Sequence, residues 1–270
     1  MIKKWALAQV NAGSKLQENL DVALDFIEEA AEEGCELLAF PEYFLLRNSH
    51  DKMFEHSFSL DSEPLKNLGR AARENQINLL AGTVPITSEE KNGLVNNTAI
   101  FINSSGEIGG YYRKIHLFDV NIEDEFAVSE SLHIQPGQKI VDLDMAGVHC
   151  GLAICYDLRF PELFRTLAQR HVQAIIIPSN FTRETGRAHW ETLLRARAIE
   201  NQCYIIAPNQ IGSNPSTRVA ALGQSMVIDP WGQVIARASD KICWVPFHMD
   251  LEYIHRVRRQ LPALNHIELL

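Results

Sequence analysis

Apolar runs of a few residues, each closed by Gly, Pro or a charged cluster, alternate along the chain with segments of helical apolar spacing. The first kind predicts buried strands and the second amphipathic helices. Residues 5–10 are the first strand. Behind it Ser14 is placed to cap a helix, with Gln17 completing a capping box. Leu16, Leu20, Leu24, Ile27 and Ala31 form that helix's apolar stripe, and Gly34 ends it. Residues 36–40 are a second strand, halted by Pro41, so Glu42 falls just past a strand's carboxyl end. Asp61 or Ser62 opens a second helix, with Pro64 in its first turn and Leu65, Leu68 and Ala72 on one face. Residues 77–84 are a third strand.

The pattern then changes. Residues 98–103, a Ser104-Ser105-Gly106 turn and residues 108–113 predict an antiparallel hairpin, with Lys114 where its second strand gives out. Residues 119–138 read as an acidic loop. A second hairpin spans 140–143 and 148–154, and a helix over 161–169 leads to a strand over 174–178. A long helix over 189–201 feeds a strand over 203–207. A third hairpin spans 224–228 and 234–236, and a strand over 243–249 precedes a basic helix over 251–259. Strand–helix–strand units interleaved with hairpins predict an α/β fold with a mixed sheet and helices outside. There is no internal repeat, low-complexity tract or linker, so residues 1–270 read as one domain.

Composition adds limits. A net charge of -9 argues against a nucleic-acid or anionic-membrane surface. Five cysteines, an odd number in a chain this long, predict reduced thiols and a reducing compartment. The apolar run near the N-terminus is too short for a signal peptide, and no window approaches a membrane span. The expectation is a cytoplasmic protein with no membrane partner.

The candidate chemistry lies at strand ends, where open α/β sheets place their sites. Cys155 leaves a buried run and enters a charged turn, and Glu42 and Lys114 occupy the same kind of position. A thiol needs a base or a nearby cation to become a nucleophile. A carboxylate can take its proton and later hand it to a leaving amine. An ammonium can hold the oxyanion, with the Tyr156 N–H as second donor. Cys-x-x-Cys, His-Glu-x-x-His and a Gly-rich phosphate loop are all missing from the sequence, so no metal or cofactor is expected. His116 and His189, nearest the motifs, read as structural histidines.

Phe40-Pro41-Glu42, the run Tyr112-Arg113-Lys114-Ile115-His116-Leu117 and the run Cys155-Tyr156-Asp157-Leu158-Arg159-Phe160-Pro161-Glu162 together resemble the three blocks of the nitrilase, or carbon-nitrogen hydrolase, superfamily. The likeness continues through Ala188-His189-Trp190-Glu191, residues 195–201 and Asp229-Pro230-Trp231-Gly232, and so covers nearly the whole chain. It implies a four-layer α-β-β-α sandwich that hydrolyses a non-peptide C–N bond without cofactor. Glu42 would be general base, Lys114 oxyanion stabiliser and Cys155 nucleophile. Glu130, rather than Glu125, would be the second glutamate that positions Lys114. Within the superfamily the chain resembles the Nit branch, which includes deaminated glutathione amidase and omega-amidase. The implied substrate is a small amide carrying a 2-oxo acid; carbamoylase, nitrilase and silent-scaffold readings are the alternatives. Arg159, Arg183 and Arg187 are candidates for its carboxylate, and Tyr43, Asn180 and Phe181 for the pocket wall. Asn180 stands where many relatives have a small residue, so its amide is expected to bear on substrate choice. A homodimer or larger homo-oligomer is implied as well.

Overall fold

Residues 1–49, 52–88, 93–122, 126–214 and 217–268 are described by the computed structural model. In the first half, β1 (Ile2–Gln9), α1 (Leu16–Glu32), β2 (Leu37–Ala39), α2 (Glu63–Glu74) and β3 (Asn78–Thr87) are followed by β4 (Val95–Ile102) and β5 (Ile108–Arg113). A hairpin, β6 (Asp119–Ile122) and β7 (Phe126–Ser129), links the halves. Then come β8 (Asp142–Met145), β9 (Val148–Leu152), α3 (Pro161–Gln169), β10 (Ala174–Ile176), α4 (Arg183–Asn201) and β11 (Tyr204–Ala207). A second small hairpin, β12 (Ile211–Asn214) and β13 (Thr217–Leu222), precedes β14 (Met226–Ile228), β15 (Val234–Arg237), β16 (Cys243–Asp250) and α5 (Leu251–Gln260).

Two six-stranded mixed sheets result, ordered β16-β1-β2-β3-β4-β5 and β8-β9-β10-β11-β14-β15. In each, three central parallel strands are flanked by one antiparallel strand on one side and two on the other. The chain thus carries a topological repeat with no counterpart in its sequence. The period-2 alternation of β1 shows how the layers assemble. Trp5 and Leu7 face the second sheet and join a core with Leu152, Phe164, Ile176 and Ile206. Ala6 and Ala8 face the other way, against Leu20, Ala23 and Ile27 of α1. Small residues on that face let the helix approach closely, while large ones fill the space between the sheets. With α1 and α2 outside one sheet and α3 and α4 outside the other, the architecture is an α-β-β-α sandwich.

Several expectations need correction. Residues 119–122 and 126–129 pair as antiparallel strands where a loop was expected, because strands of four residues are too short for their apolar alternation to stand out among the surrounding polar positions. The β12–β13 hairpin was likewise not foreseen. The 189–201 helix begins earlier, at Arg183 just after Thr182, since its polar first turn borders a cavity rather than the core. Lys15, not Ser14, precedes α1, and Gln17 bonds Asp21 instead. The entry is tied down by Asn19, whose side chain brackets the N–H and C=O of Gly13. β4 starts at Val95, three residues before the sequence signal, because Asn96 and Asn97 disguise a strand whose eight residues are all buried.

Candidate active site

The two sheets bring their strand ends to one cavity. Pro41 ends the run behind β2, and Gly82 of β3 lies so close that a Cβ there would sit 2.0 Å from the Pro41 carbonyl oxygen. That contact, with the Tyr43 N–H on Thr83 Oγ1 at 3.0 Å, fixes the backbone on both sides of Glu42. Tyr43 adopts a left-handed φ of 58° and so turns its ring back toward the same cavity. Lys114 follows β5 directly and its N–H is held by the Asn97 carbonyl at 2.9 Å.

Cys155 lies beyond β9, at the first residue of a 3-10 turn, Cys155–Arg159, and has a φ of 43°. A non-glycine residue held there costs about 1–3 kcal/mol and must be over-determined by its surroundings. Its N–H donates to Pro178 O at 3.0 Å, and the preceding Ile154 N–H donates to Asp157 Oδ2 at 2.8 Å. The Tyr156 N–H, in the same first turn, is among the donors a helix start leaves without an internal acceptor.

Glu42, Lys114 and Glu130 are 2%, 2% and 1% exposed, so their charges answer to one another rather than to water. Lys114 Nζ donates to Glu42 Oε1 at 3.1 Å and to both Glu130 oxygens at 3.0 and 2.9 Å. Asn97 Nδ2 donates to Glu42 Oε1 and Tyr43 Oη, both at 2.7 Å, and Tyr43 Oη donates to Glu130 Oε1 at 3.1 Å. The Phe118 N–H fixes Glu130 Oε2 at 2.7 Å. The Asn180 N–H donates to the other Glu42 oxygen, Oε2, at 2.9 Å. Burial pushes the Glu42 carboxyl above the usual carboxylate range; Lys114 pulls it down and Glu130 pushes it up again. Burial alone would lower Lys114, yet the carboxylates of Glu130 and Glu42 outweigh it and keep the ammonium charged. The Cys155 thiol is pushed well up by burial and by Glu42, against Lys114 and the Asn180 N–H. A neutral thiol therefore rests beside a carboxylate of raised basicity and a fixed cation, an arrangement suited to proton removal at the moment of attack.

The cavity holds about 960 Å3 and is lined by all four of these side chains. Tyr156, Phe181 and Arg159 line it as well, and Arg159 lies 5.7 Å and 5.3 Å from the centroids of the two rings. Its guanidinium meets His189 Nδ1 at 3.3 Å, and no carboxylate pairs with it among the described residues. Arg183 borders the cavity at the start of α4, whereas Arg187 lines a neighbouring cavity only. Asn180 lines the cavity, and its side-chain Oδ1 lies 3.5 Å from Nη1 of the buried Arg47. Arg47 also donates to Asn11 Oδ1 and Gly212 O, and burial lowers it to about 10. His116 stacks on Phe160 and bonds Asp157, the place of a structural histidine. Glu125 lies outside the described residues. Among those described, no group of three or more His, Cys, Asp or Glu is set to hold a metal.

Sequence reasoning missed Asn97 and Asp157. The signal for Asn97 was its place in a buried strand, where an amide must find partners. Asp157 stood in a quoted motif with no role attached.

Comparison with known proteins gives four consistent findings. The family model described as carbon-nitrogen hydrolase matches residues 4–259. Deaminated glutathione amidase of Synechocystis sp. (strain PCC 6803 / GT-S) is 37% identical over 264 residues, 97% of this chain and 96% of that protein. Omega-amidase NIT2 of Homo sapiens is 35% identical over 262 residues, covering 97% and 94%. The solved structure of Saccharomyces cerevisiae Nit3, a member of branch 10 of the nitrilase superfamily, superposes with a TM-score of 0.87 at 32% identity, over 97% of this chain and 94% of that one.

Proposed function

This chain belongs to the carbon-nitrogen hydrolase family, and we propose that it is an amidase for a small 2-oxo acid amide of the deaminated glutathione kind. The observation that carries the reading is the Glu42–Lys114–Glu130 cluster, buried beside Cys155 in one cavity. Glu42 takes the thiol proton as Sγ attacks the amide carbon, and Lys114 Nζ with the Tyr156 N–H holds the oxyanion. Protonated Glu42 then gives its proton to the departing nitrogen, the C–N bond breaks and a thioester remains on Cys155. Water, deprotonated by Glu42, attacks that thioester; the C–S bond breaks and the thiol recovers its proton. The balance is amide plus water to carboxylic acid plus amine. Glu130 holds Lys114 in place throughout.

Arg159 is the group for the substrate carboxylate. Its planar fork is steadied by Tyr156 and Phe181, and the ion pairs of the described residues leave it no carboxylate. A cavity of about 960 Å3 is roomy for an ammonia-releasing ω-amide, which favours the larger deaminated glutathione. The omega-amidase reading rests on the likeness to that relative. One domain over residues 1–270 is part of the proposal, because the site draws on both sheets. So is a reducing, cytoplasmic setting, consistent with five free cysteines. No helix among the described residues is long and apolar enough to cross a membrane. A homodimer is supported by the exposed Ile199 of α4 and the exposed Trp231, whose neighbour Gly232 packs against Ile199.

The test is a panel of deaminated glutathione, 2-oxoglutaramate, an N-carbamoyl amino acid and a simple nitrile, with the acyl-Cys155 mass measured for each. Deaminated glutathione is expected to give the highest kcat/KM. Cys155→Ala should abolish turnover with the fold intact, and retained activity would overturn the mechanism. Arg159→Met should raise KM about 10- to 100-fold, the worth of a charge-assisted hydrogen bond.

A further inference from the structure

Asp157 is fully buried and its carboxylate gathers four donors. Oδ1 accepts from the His116 backbone N–H at 2.9 Å and from His116 Nδ1 at 2.7 Å. Oδ2 accepts from the Ile154 N–H and from Tyr112 Oη, both at 2.8 Å. An ionised carboxylate only accepts, so Nδ1 of His116 carries a hydrogen and the Tyr112 hydroxyl donates. The donors belong to two places. Tyr112 and His116 bracket Lys114, two residues away on either side, and Ile154 immediately precedes Cys155. One carboxylate therefore ties both flanks of the lysine to the turn that carries the thiol.

We propose that Asp157 is a positioning residue that sets Lys114 against Cys155, with His116 and Tyr112 as its two side-chain anchors. The proposal rests on the amidase reading, in which these two groups act on the same substrate atom. None of Asp157, His116 and Tyr112 lines the cavity, so none meets the substrate. Their effect passes through the relative placement of the ammonium and the sulfur. Lys114 is held from the front by Glu42 and Glu130, but those bonds orient Nζ only. The backbone on which the lysine stands is registered to the other sheet through Asp157. The left-handed backbone at Cys155 is likewise held from two sides, by Pro178 O on its own N–H and by Asp157 on the residue before.

The donor count dictates aspartate. In either amide orientation an asparagine would turn its NH2 toward a backbone N–H, that of His116 or that of Ile154, and one bond would become a repulsion. His116 is stacked on Phe160 with centroids 3.7 Å apart and planes 6° apart, which fixes Nδ1 on the carboxylate.

The experiment measures kcat, KM and the rate of Cys155 alkylation by iodoacetamide for Asp157→Asn, His116→Ala, His116→Asn and Tyr112→Phe, with thermal unfolding as control. Asp157→Asn should lower kcat about 100-fold, the scale of a 1 Å misplacement, and leave KM within about twofold. Alkylation should slow with it. His116→Ala should show a smaller loss in the same direction, and His116→Asn, whose amide nitrogen can stand where Nδ1 does, should recover most of it. A folded Asp157→Asn that keeps wild-type kcat and alkylation rate, losing only thermal stability, overturns the proposal. If that variant does not fold, equal kcat in His116→Ala and His116→Asn overturns it instead. Wild-type protein that turns over none of the panel substrates defeats the amidase reading, while the alkylation rates still decide whether Asp157 positions the thiol.

Discussion

Replacing Lys114 by methionine removes one charge from a buried trio and leaves the shape nearly unchanged. Nζ lies 3.1 Å from Glu42 and 2.9 Å from Glu130, so each pair is worth about 5 kcal/mol of gross attraction at an effective dielectric constant of about 20. Desolvation of the ions offsets much of that. The net cost of stripping a buried pair of one partner is about 3–5 kcal/mol. At about 2 °C per kcal/mol for a chain of this size, Tm should fall by roughly 6–10 °C at neutral pH. The loss should depend on pH in a definite direction. Burial already holds Glu42 above the usual carboxylate range, and Lys114 opposes that rise, so its removal sends Glu42 higher. A carboxyl whose folded pKa exceeds its unfolded one favours the fold at low pH, and that contribution is lost as pH rises through the folded value. The Tm gap between Lys114→Met and wild type should therefore narrow from pH 8 to pH 5. Loss of the oxyanion donor should separately lower kcat by about 100- to 1,000-fold. Differential scanning calorimetry across pH, with initial rates on the best panel substrate, reads both. A gap that stays constant with pH refutes the electrostatic account, and more than a tenth of wild-type kcat refutes the oxyanion role.

Further outcomes follow from the same geometry. Because Glu42 must be ionised to act and is pushed upward by burial, the acid limb of wild-type kcat/KM should lie above the range of ordinary carboxylates. Lys114 should contribute no alkaline limb below pH 9, since the two glutamates raise it. Glu42→Gln should abolish the acid limb and cost about 100- to 10,000-fold in kcat, and a limb unmoved by that change assigns it to another group. Gly82→Ala would drive a Cβ to 2.0 Å from the Pro41 carbonyl at a φ of 38°. It should lower both Tm and kcat, whereas the open Gly13→Ala should leave kcat unchanged.

The sequence by itself singled out the candidate residues for chemistry and set each at the end of a strand. Glu42, Lys114 and Cys155 were legible because strand ends, turn signals and motif blocks are properties of short stretches. The helices α1, α2 and α3 were legible for the same reason: their apolar stripes and breakers are local. The paired strands 119–122 with 126–129 and 211–214 with 217–222 were not, because each is too short, or too broken by polar and glycine residues, for a period to show along the chain. Only the tertiary structure decided which strand ends meet. Glu42 touches Asn97, Lys114 and Asn180 across 55, 72 and 138 residues of chain, distances over which no pattern in the sequence extends. Packing of the two sheets also gave Asn97 and Asp157 their roles, since a buried amide or carboxylate takes its meaning from the donors and acceptors that surround it. And it turned the side chain of Asn180 toward Arg47 while its N–H went to Glu42, which no reading of residue type alone foresees.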